Sequence, residues 1–206
     1  TAVHDIASVA ELVTSDDIAM SFYQPVGADA NIVRFKVFRK TKTIELSDII
    51  PLLENLGLRV LSENPYAIHK KSDDVIWLHD FKLSYSLPGV IDVLRVKGIF
   101  FFSFSAVWHK RTVNDAFNKL VLSAELTWRE VFVLRAYASY MHQTLFTFTE
   151  HYIANALVNQ RDIARLLINL FITKFDPTFN SSEEQRVENI NQYRNDILAS
   201  LNGVSN

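Results

Sequence analysis

The sequence predicts an α+β protein in which a β-α-β-β layer is followed by an all-helical half. Three observations predict it. Residues 32 to 39 alternate apolar and polar side chains, residues 46 to 56 switch to an apolar spacing of three and four, and a hairpin-like pair of apolar runs follows. After Lys110 the period of two disappears, and helix starts with recognisable caps recur at short intervals.

In the first strand Val33, Phe35 and Val37 share one face, with Arg34 and Lys36 on the other. The loop Arg39-Lys40-Thr41-Lys42-Thr43 leads to a helix striped by Leu46, Ile49, Ile50, Leu53 and Leu56. Ser47 is its expected N-cap, Pro51 belongs near its first turn, and Gly57 suits a left-handed C-terminal position. Two more strands, about Arg59 to His69 and Asp74 to Tyr85, flank the polar turn Lys70-Lys71-Ser72-Asp73. In the later one Val75, Trp77, Phe81 and Leu83 share a face, while Ile76 and Leu78 on the other predict cover on both sides of its first half. Pro65 assigns the earlier one to an edge or a bulge, because proline cannot donate to a ladder. With the long apolar segment from Val90 to Trp108, this order suits a ferredoxin-like layer. Periodicity leaves that segment open between helix and strand.

In the second half Asn114 precedes Phe117, Leu120 and Val121. Both Thr127-Trp128-Arg129-Glu130 and Thr147-Phe148-Thr149-Glu150 have the Thr-x-x-Glu form of a capping box, so each is expected to open a helix. Ile163, Leu166, Leu167, Leu170 and Phe171 stripe a further helix, ended by Asp176-Pro177. After a loop from Thr178 to Ser182, the last helix would bury Val187, Ile190, Ile197, Leu198 and Leu201 and run towards Gly203. The expected division is a lead segment with a helix over 1–30, an α+β module over 31–110 and a helical connector over 111–206. Val3, Ile6, Val9, Ala10 and Val13 carry the lead helix.

Composition narrows the function. Twenty-one basic and 23 acidic residues give a formal net charge of −2, so no electrostatic footprint for nucleic acid or an anionic membrane is visible. The chain has no cysteine, which removes disulfides, thiolate metal sites and thiol nucleophiles and fits the cytoplasm. The apolar run Gly98 to Trp108 is about half of the ~20 residues that a membrane helix needs. Thr1 opens the chain without an initiator methionine, and an internal stretch of a longer protein is the expectation.

Five glycines, Gly27, Gly57, Gly89, Gly98 and Gly203, are too dispersed for a dinucleotide or Walker loop, which needs several backbone amides free to approach a phosphate. His4, His69, His79, His109, His142 and His151 show no metal-ligand spacing. His79-Asp80 has the residue types of a base with its orienting carboxylate, but neighbours on a strand face opposite ways. Asp16-Asp17, Asp73-Asp74 and Glu183-Glu184 stand where helix starts and turns favour carboxylates. Phe100, Phe101, Phe102, Phe104 and Trp108 are expected to be core. No catalytic, cofactor-binding or metal-binding residue is assigned.

Several strings carry a resemblance: Val33-Arg34-Phe35-Lys36-Val37-Phe38-Arg39, Leu52-Leu53-Glu54-Asn55-Leu56-Gly57-Leu58-Arg59-Val60, Asn118-Lys119-Leu120-Val121-Leu122, Thr127-Trp128-Arg129-Glu130-Val131, Leu134-Arg135-Ala136-Tyr137-Ala138 and Ile163-Ala164-Arg165-Leu166-Leu167, closing on Lys174-Phe175-Asp176-Pro177. In this order they resemble the large NAD-dependent glutamate dehydrogenases of bacteria. The resemblance implies an ACT-like module followed by a helical connector, lying before the catalytic domain and its Gly-rich NAD fold. It implies a parent enzyme that uses NAD to convert L-glutamate to 2-oxoglutarate in glutamate catabolism. The segment's own share would be structural or allosteric, with no cofactor. Its partners would be the rest of its own chain, a homo-oligomer of the parent and an amino-acid effector. Amino-acid sensing and oligomer assembly are the alternative functions. Ligand-binding ACT modules carry glycine or small residues between first strand and first helix, whereas this loop runs from Arg39 to Thr43.

Overall fold

The structure, a computed structural model, describes residues 18–40, 42–69, 75–144, 146–178 and 182–204. The chain divides into two compact units, one up to Asp115 and one from Ala116. The expected lead helix and the turn Lys70 to Asp73 lie outside the described residues.

In the first unit β1 (Ile18–Tyr23), β2 (Ile32–Lys40), β3 (Leu58–His69) and β4 (Val75–Tyr85) form one antiparallel sheet in the order β1-β2-β4-β3. Helix α1 (Leu46–Asn55) connects β2 to β3, and α2 (Val93–Trp108) follows β4. The β-α-β-β-α order is therefore present. The segment left open between helix and strand is a helix, started by the Asp92 carboxylate, which accepts from the amides of Leu94 and Arg95. The strand β1 is additional to the expected set. It pairs with β2 along the edge that a β-α-β-β-α-β layer gives to its last strand.

One sheet face carries the helices. Phe35 on β2 lies between Phe22 on β1 and Phe81 on β4, and Phe100 stacks on Phe22 at 4.4 Å between ring centroids while meeting Phe35 edge-on at 5.1 Å. Phe104 also meets Phe35, at 5.0 Å, and both α2 rings are fully buried. Of the phenylalanine run, Phe100 and Phe104 are core, four residues apart on one helix face. Phe102 faces outward at 73% exposure. Ile49, Leu52 and Leu53 give α1 its buried face. The opposite sheet face has its own buried apolar cluster, Ala19, Phe38, Ile76 and Leu78, with Ile68 packed against it. The prediction that the first half of β4 is covered on both sides holds.

The ends of α1 differ from expectation. Glu45, not Ser47, occupies the N-cap position, and no side chain caps the helix. Pro51 lies in the second turn. Gly57 does take a left-handed φ of +84°. Strand β3 is an edge strand, as Pro65 required, with its register shift between Val60 and Ser62 rather than at the proline.

The second unit starts with a 3-10 turn (Ala116–Lys119) running into the short α3 (Leu120–Ser123). Helices α4 (Trp128–Gln143), α5 (Glu150–Asn159), α6 (Arg161–Phe175) and α7 (Glu183–Asn202) follow. The Thr127/Glu130 capping box forms in full. The second box does not: Thr149 caps α5 by accepting from the Tyr152 amide, which puts Glu150 at the first helical position. Glu150 instead accepts from the Ser139 hydroxyl on α4. In α6 the buried line is Ile163, Ala164 and Ile168, and α7 has no buried residue at all. Val187, Leu198 and Leu201, expected inside, are 53%, 59% and 49% exposed.

Candidate functional site

The chemistry-bearing side chains of the first unit gather where β2 ends and α1 begins. His79 stands on the helix-covered face of β4, opposite Val37, and is 3% exposed. Its Nε2 accepts from the Ile44 backbone amide at 3.1 Å and from the Thr43 hydroxyl at 3.2 Å. An amide can only donate, so Nε2 carries the lone pair and the proton sits on Nδ1. Nδ1–H then donates to Glu63 Oε1 at 2.8 Å. The ring ties the inner strand β4 to the edge strand β3 and to the loop preceding α1.

The carboxylate partner of His79 is therefore Glu63 and not its neighbour Asp80. Asp80 points to the other sheet face and pairs with Arg34. That hydrogen bond, outweighing the cost of burial, raises the Arg34 guanidinium above its usual range. Glu63 lies opposite Phe81 and Pro65 opposite His79, so Glu63 and His79 are diagonal neighbours on one face. The sequence offers no sign of this, because the shift near Leu61 sets the register.

The other expected residues stay apart. His69 ends β3, His142 lies in the last turn of α4 and His151 in the first turn of α5. Among the described residues no three His, Asp or Glu side chains converge as metal ligands. Glu183-Glu184 fall in the first turn of α7, whereas Asp16-Asp17 and Asp73-Asp74 lie outside the described residues. Asp176 closes the turn after α6. Its Oδ1 accepts from the Thr178 hydroxyl at 2.7 Å and the Thr178 amide at 2.8 Å, and these bonds lower its pKa.

Each unit has one open recess of interest. In the first, a cleft of about 680 Å³ lies between the start of α1 and the end of α2, lined by Arg39, Ser47, Asp48, Trp108, Lys110 and Thr112 among others. In the second, Leu134, Tyr137 and Met141 of α4 and Leu167, Phe171 and Phe175 of α6 line an apolar groove of about 390 Å³. Three of the five stripe residues expected to be core in α6, Leu167, Leu170 and Phe171, border this groove instead.

Comparison with known proteins matches both units in series. Residues 17–96 match the model of the glutamate dehydrogenase ACT3 domain, and residues 112–177 that of glutamate dehydrogenase helical motif 3. The chain is 39% identical over 183 residues to the NAD-specific glutamate dehydrogenase of Halomonas elongata, covering 89% of this chain and 11% of that protein. The chain belongs to the NAD-specific glutamate dehydrogenase family. Relatives from Pseudomonas aeruginosa and Mycobacterium tuberculosis bear the same name, at 37% and 32% identity over 98% and 90% of this chain. The chain spans only 11 to 12% of the length of these glutamate dehydrogenases. The ACT-like sheet and the helical segment thus lie side by side in the sequence. Among the described residues, no helix is long and apolar enough to cross a membrane.

In the ACT-like unit the backbone just after the strand–helix loop is engaged internally. The Ile44 amide donates to His79.

Proposed function

We propose that this chain is a non-catalytic, regulatory and structural segment of a cytoplasmic NAD-dependent glutamate dehydrogenase. The parent converts L-glutamate, NAD+ and water to 2-oxoglutarate, ammonium and NADH, and the residues that do so, with the NAD site, belong to the rest of its chain. The observation that carries the reading is the pair of family matches, an ACT3 domain and a helical motif, in a chain covering about a ninth of its relatives. The division near residue 110 is supported by the change of compact unit after Asp115.

The helical unit has surface suited to holding other parts of the parent or further subunits. The groove between α4 and α6 is apolar, Tyr137 and Phe175 on it are about half exposed, and α7 leaves Val187, Leu198 and Leu201 open. Exposed apolar surface of this kind is the usual mark of an interaction site. The test uses the full-length parent with Tyr137, Phe171 and Phe175 changed to serine. A fall in kcat or a smaller assembly by light scattering, with helicity kept, is expected. Unchanged turnover and assembly would overturn the proposal, as would glutamate-dependent NADH formation by the 206-residue chain alone.

A further inference from the structure

Helix α2 turns two large apolar side chains to solvent. Its inward side is held by Val96, Phe100, Phe104 and Val107, all buried. On the opposite side, at the helical spacing of four, stand Leu94, Gly98 and Phe102. Leu94 is 90% exposed and Phe102 73%, the most open large apolar side chains on any helix among the described residues. Gly98 lies between them in mid-helix, where glycine is the poorest helix former after proline. Packing within the chain does not call for it, since a Cβ built there would meet nothing within 4 Å. Glycine leaves bare backbone at that point, between two projecting side chains, and a second helix can approach it closely.

The spacing of the three positions is self-complementary. Leu94 stands four residues before Gly98 and Phe102 four after it. An antiparallel copy of the same helix, crossing at Gly98, therefore sets each Leu94 against the other copy's Phe102. This is the property that a two-fold contact requires, in which one patch faces itself and residue i meets j while j meets i. The helix carries two basic residues, Arg95 and Lys97, and no acidic one. Two copies therefore meet through apolar side chains and bare backbone, with like charges at the border.

We propose that α2 pairs with α2 of a second copy of this chain, antiparallel, with the two-fold axis beside Gly98. The area sets its strength. An aromatic side chain offers about 150–250 Å², so the open parts of Leu94, Phe102 and their neighbours on two copies come to roughly 800 Å², below the ~1,200–2,000 Å² of a stable interface. The chain alone should therefore pair weakly, with a dissociation constant on the order of 0.1 mM, and tethering in a larger assembly would raise the occupancy. The contact stands on the first unit and does not depend on the groove between α4 and α6.

The experiment combines analytical ultracentrifugation of the 206-residue chain up to about 0.5 mM, a few times that dissociation constant, with thiol crosslinking. The chain has no cysteine, so each introduced thiol reports one position. Gly98→Cys should form a disulfide-linked pair, because the two backbones meet there within disulfide reach. A mixture of Leu94→Cys and Phe102→Cys chains should link to each other faster than either links to itself. Tyr66→Cys on β3, half exposed, is the control and should link slowest. Gly98→Gln, which fills the crossing point while favouring the helix, and Phe102→Ala should each weaken association about tenfold and leave Tm within a few degrees. Salt at 300 mM should not weaken it, since the bordering charges repel. A strict monomer at the highest concentration, association unchanged by Gly98→Gln, or Leu94→Cys linking to itself faster than to Phe102→Cys would overturn the proposal. Loss of association at high salt would overturn it too, because an ionic contact would then be responsible. With Tyr137, Phe171 and Phe175 changed to serine the Gly98→Cys crosslink should persist; its loss there would assign association to the helical unit and overturn the pairing of α2.

Discussion

Replacing His79 by leucine tests the junction between β4, β3 and the loop before α1. Leucine keeps the buried volume but offers no acceptor to the Ile44 amide and no donor to Glu63, while Ile44 itself is 3% exposed. A buried amide left without a partner costs about 1–3 kcal/mol, and a hydrogen bond to a charged carboxylate contributes about 1.5–3 kcal/mol. The Glu63 side chain is 13% exposed and regains some water, so the two losses do not add fully. A total of about 2–4 kcal/mol is expected. The assays are urea unfolding and hydrogen exchange at the Ile44 amide, whose protection should fall by at least about 30-fold, the equivalent of 2 kcal/mol. Glu63→Gln retains a carbonyl acceptor for Nδ1–H and should cost less than about 1 kcal/mol. Nitrogen NMR of the wild-type imidazole should show the Nδ1–H tautomer. A His79→Leu chain within 0.5 kcal/mol of wild type, roughly the scale of an inert surface change, or an Nε2–H tautomer would refute the argument.

Three other outcomes follow from particular positions. Gly57→Ala puts a Cβ on a residue at φ +84° and against the Leu87 side chain, and should destabilise the chain by about 1–2 kcal/mol in urea unfolding; no loss would mean that the turn after α1 rearranges freely. Phe100→Ala empties the space between Phe22, Phe35 and Phe104 and should cost about 3–5 kcal/mol, against under 1 kcal/mol for Phe102→Ala on the exposed side of the same helix. Asp176 has a folded pKa below its unfolded value, so its stabilisation is present above the ordinary aspartate pKa and is lost as pH falls through the lowered one. Its carboxyl should therefore titrate by NMR below a free aspartate, and Thr178→Val should return it towards that value.

The elements with strong periodicity were legible, and the exceptions have specific causes. The alternation of β2, the capping box at Thr127/Glu130 and the left-handed Gly57 all act within a few residues, so the sequence displays them directly. Strand β1 escaped because Ile18-Ala19-Met20-Ser21-Phe22-Tyr23 alternates weakly, and its strand character comes from pairing with β2. The phenylalanine run was ambiguous because Phe100 and Phe104 satisfy a helix stripe while Phe101 and Phe102 break it; the Asp92 cap outside the run is the local sign of a helix. In α6 and α7 the stripes were visible but their burial was not, since an apolar stripe reports what a helix can cover rather than what covers it. The Glu63–His79 pair and the Arg39–Trp108 contact depend on register and on how α2 crosses the sheet.

These long-range contacts give the cleft its mechanical character. Because β1 fills the edge beside β2, the four-stranded sheet takes no strand after α2 among the described residues. The loop before α1 is tied to the sheet, since Thr43 and Ile44 are fastened to a buried histidine on the inner strand β4. One wall of the cleft is thereby fixed to the sheet, and the other is a helix end held by its own C-terminal turn and by packing. With Lys110 already in a left-handed conformation, that turn carries local backbone cost. It is the part of the unit that an added contact can most readily bias.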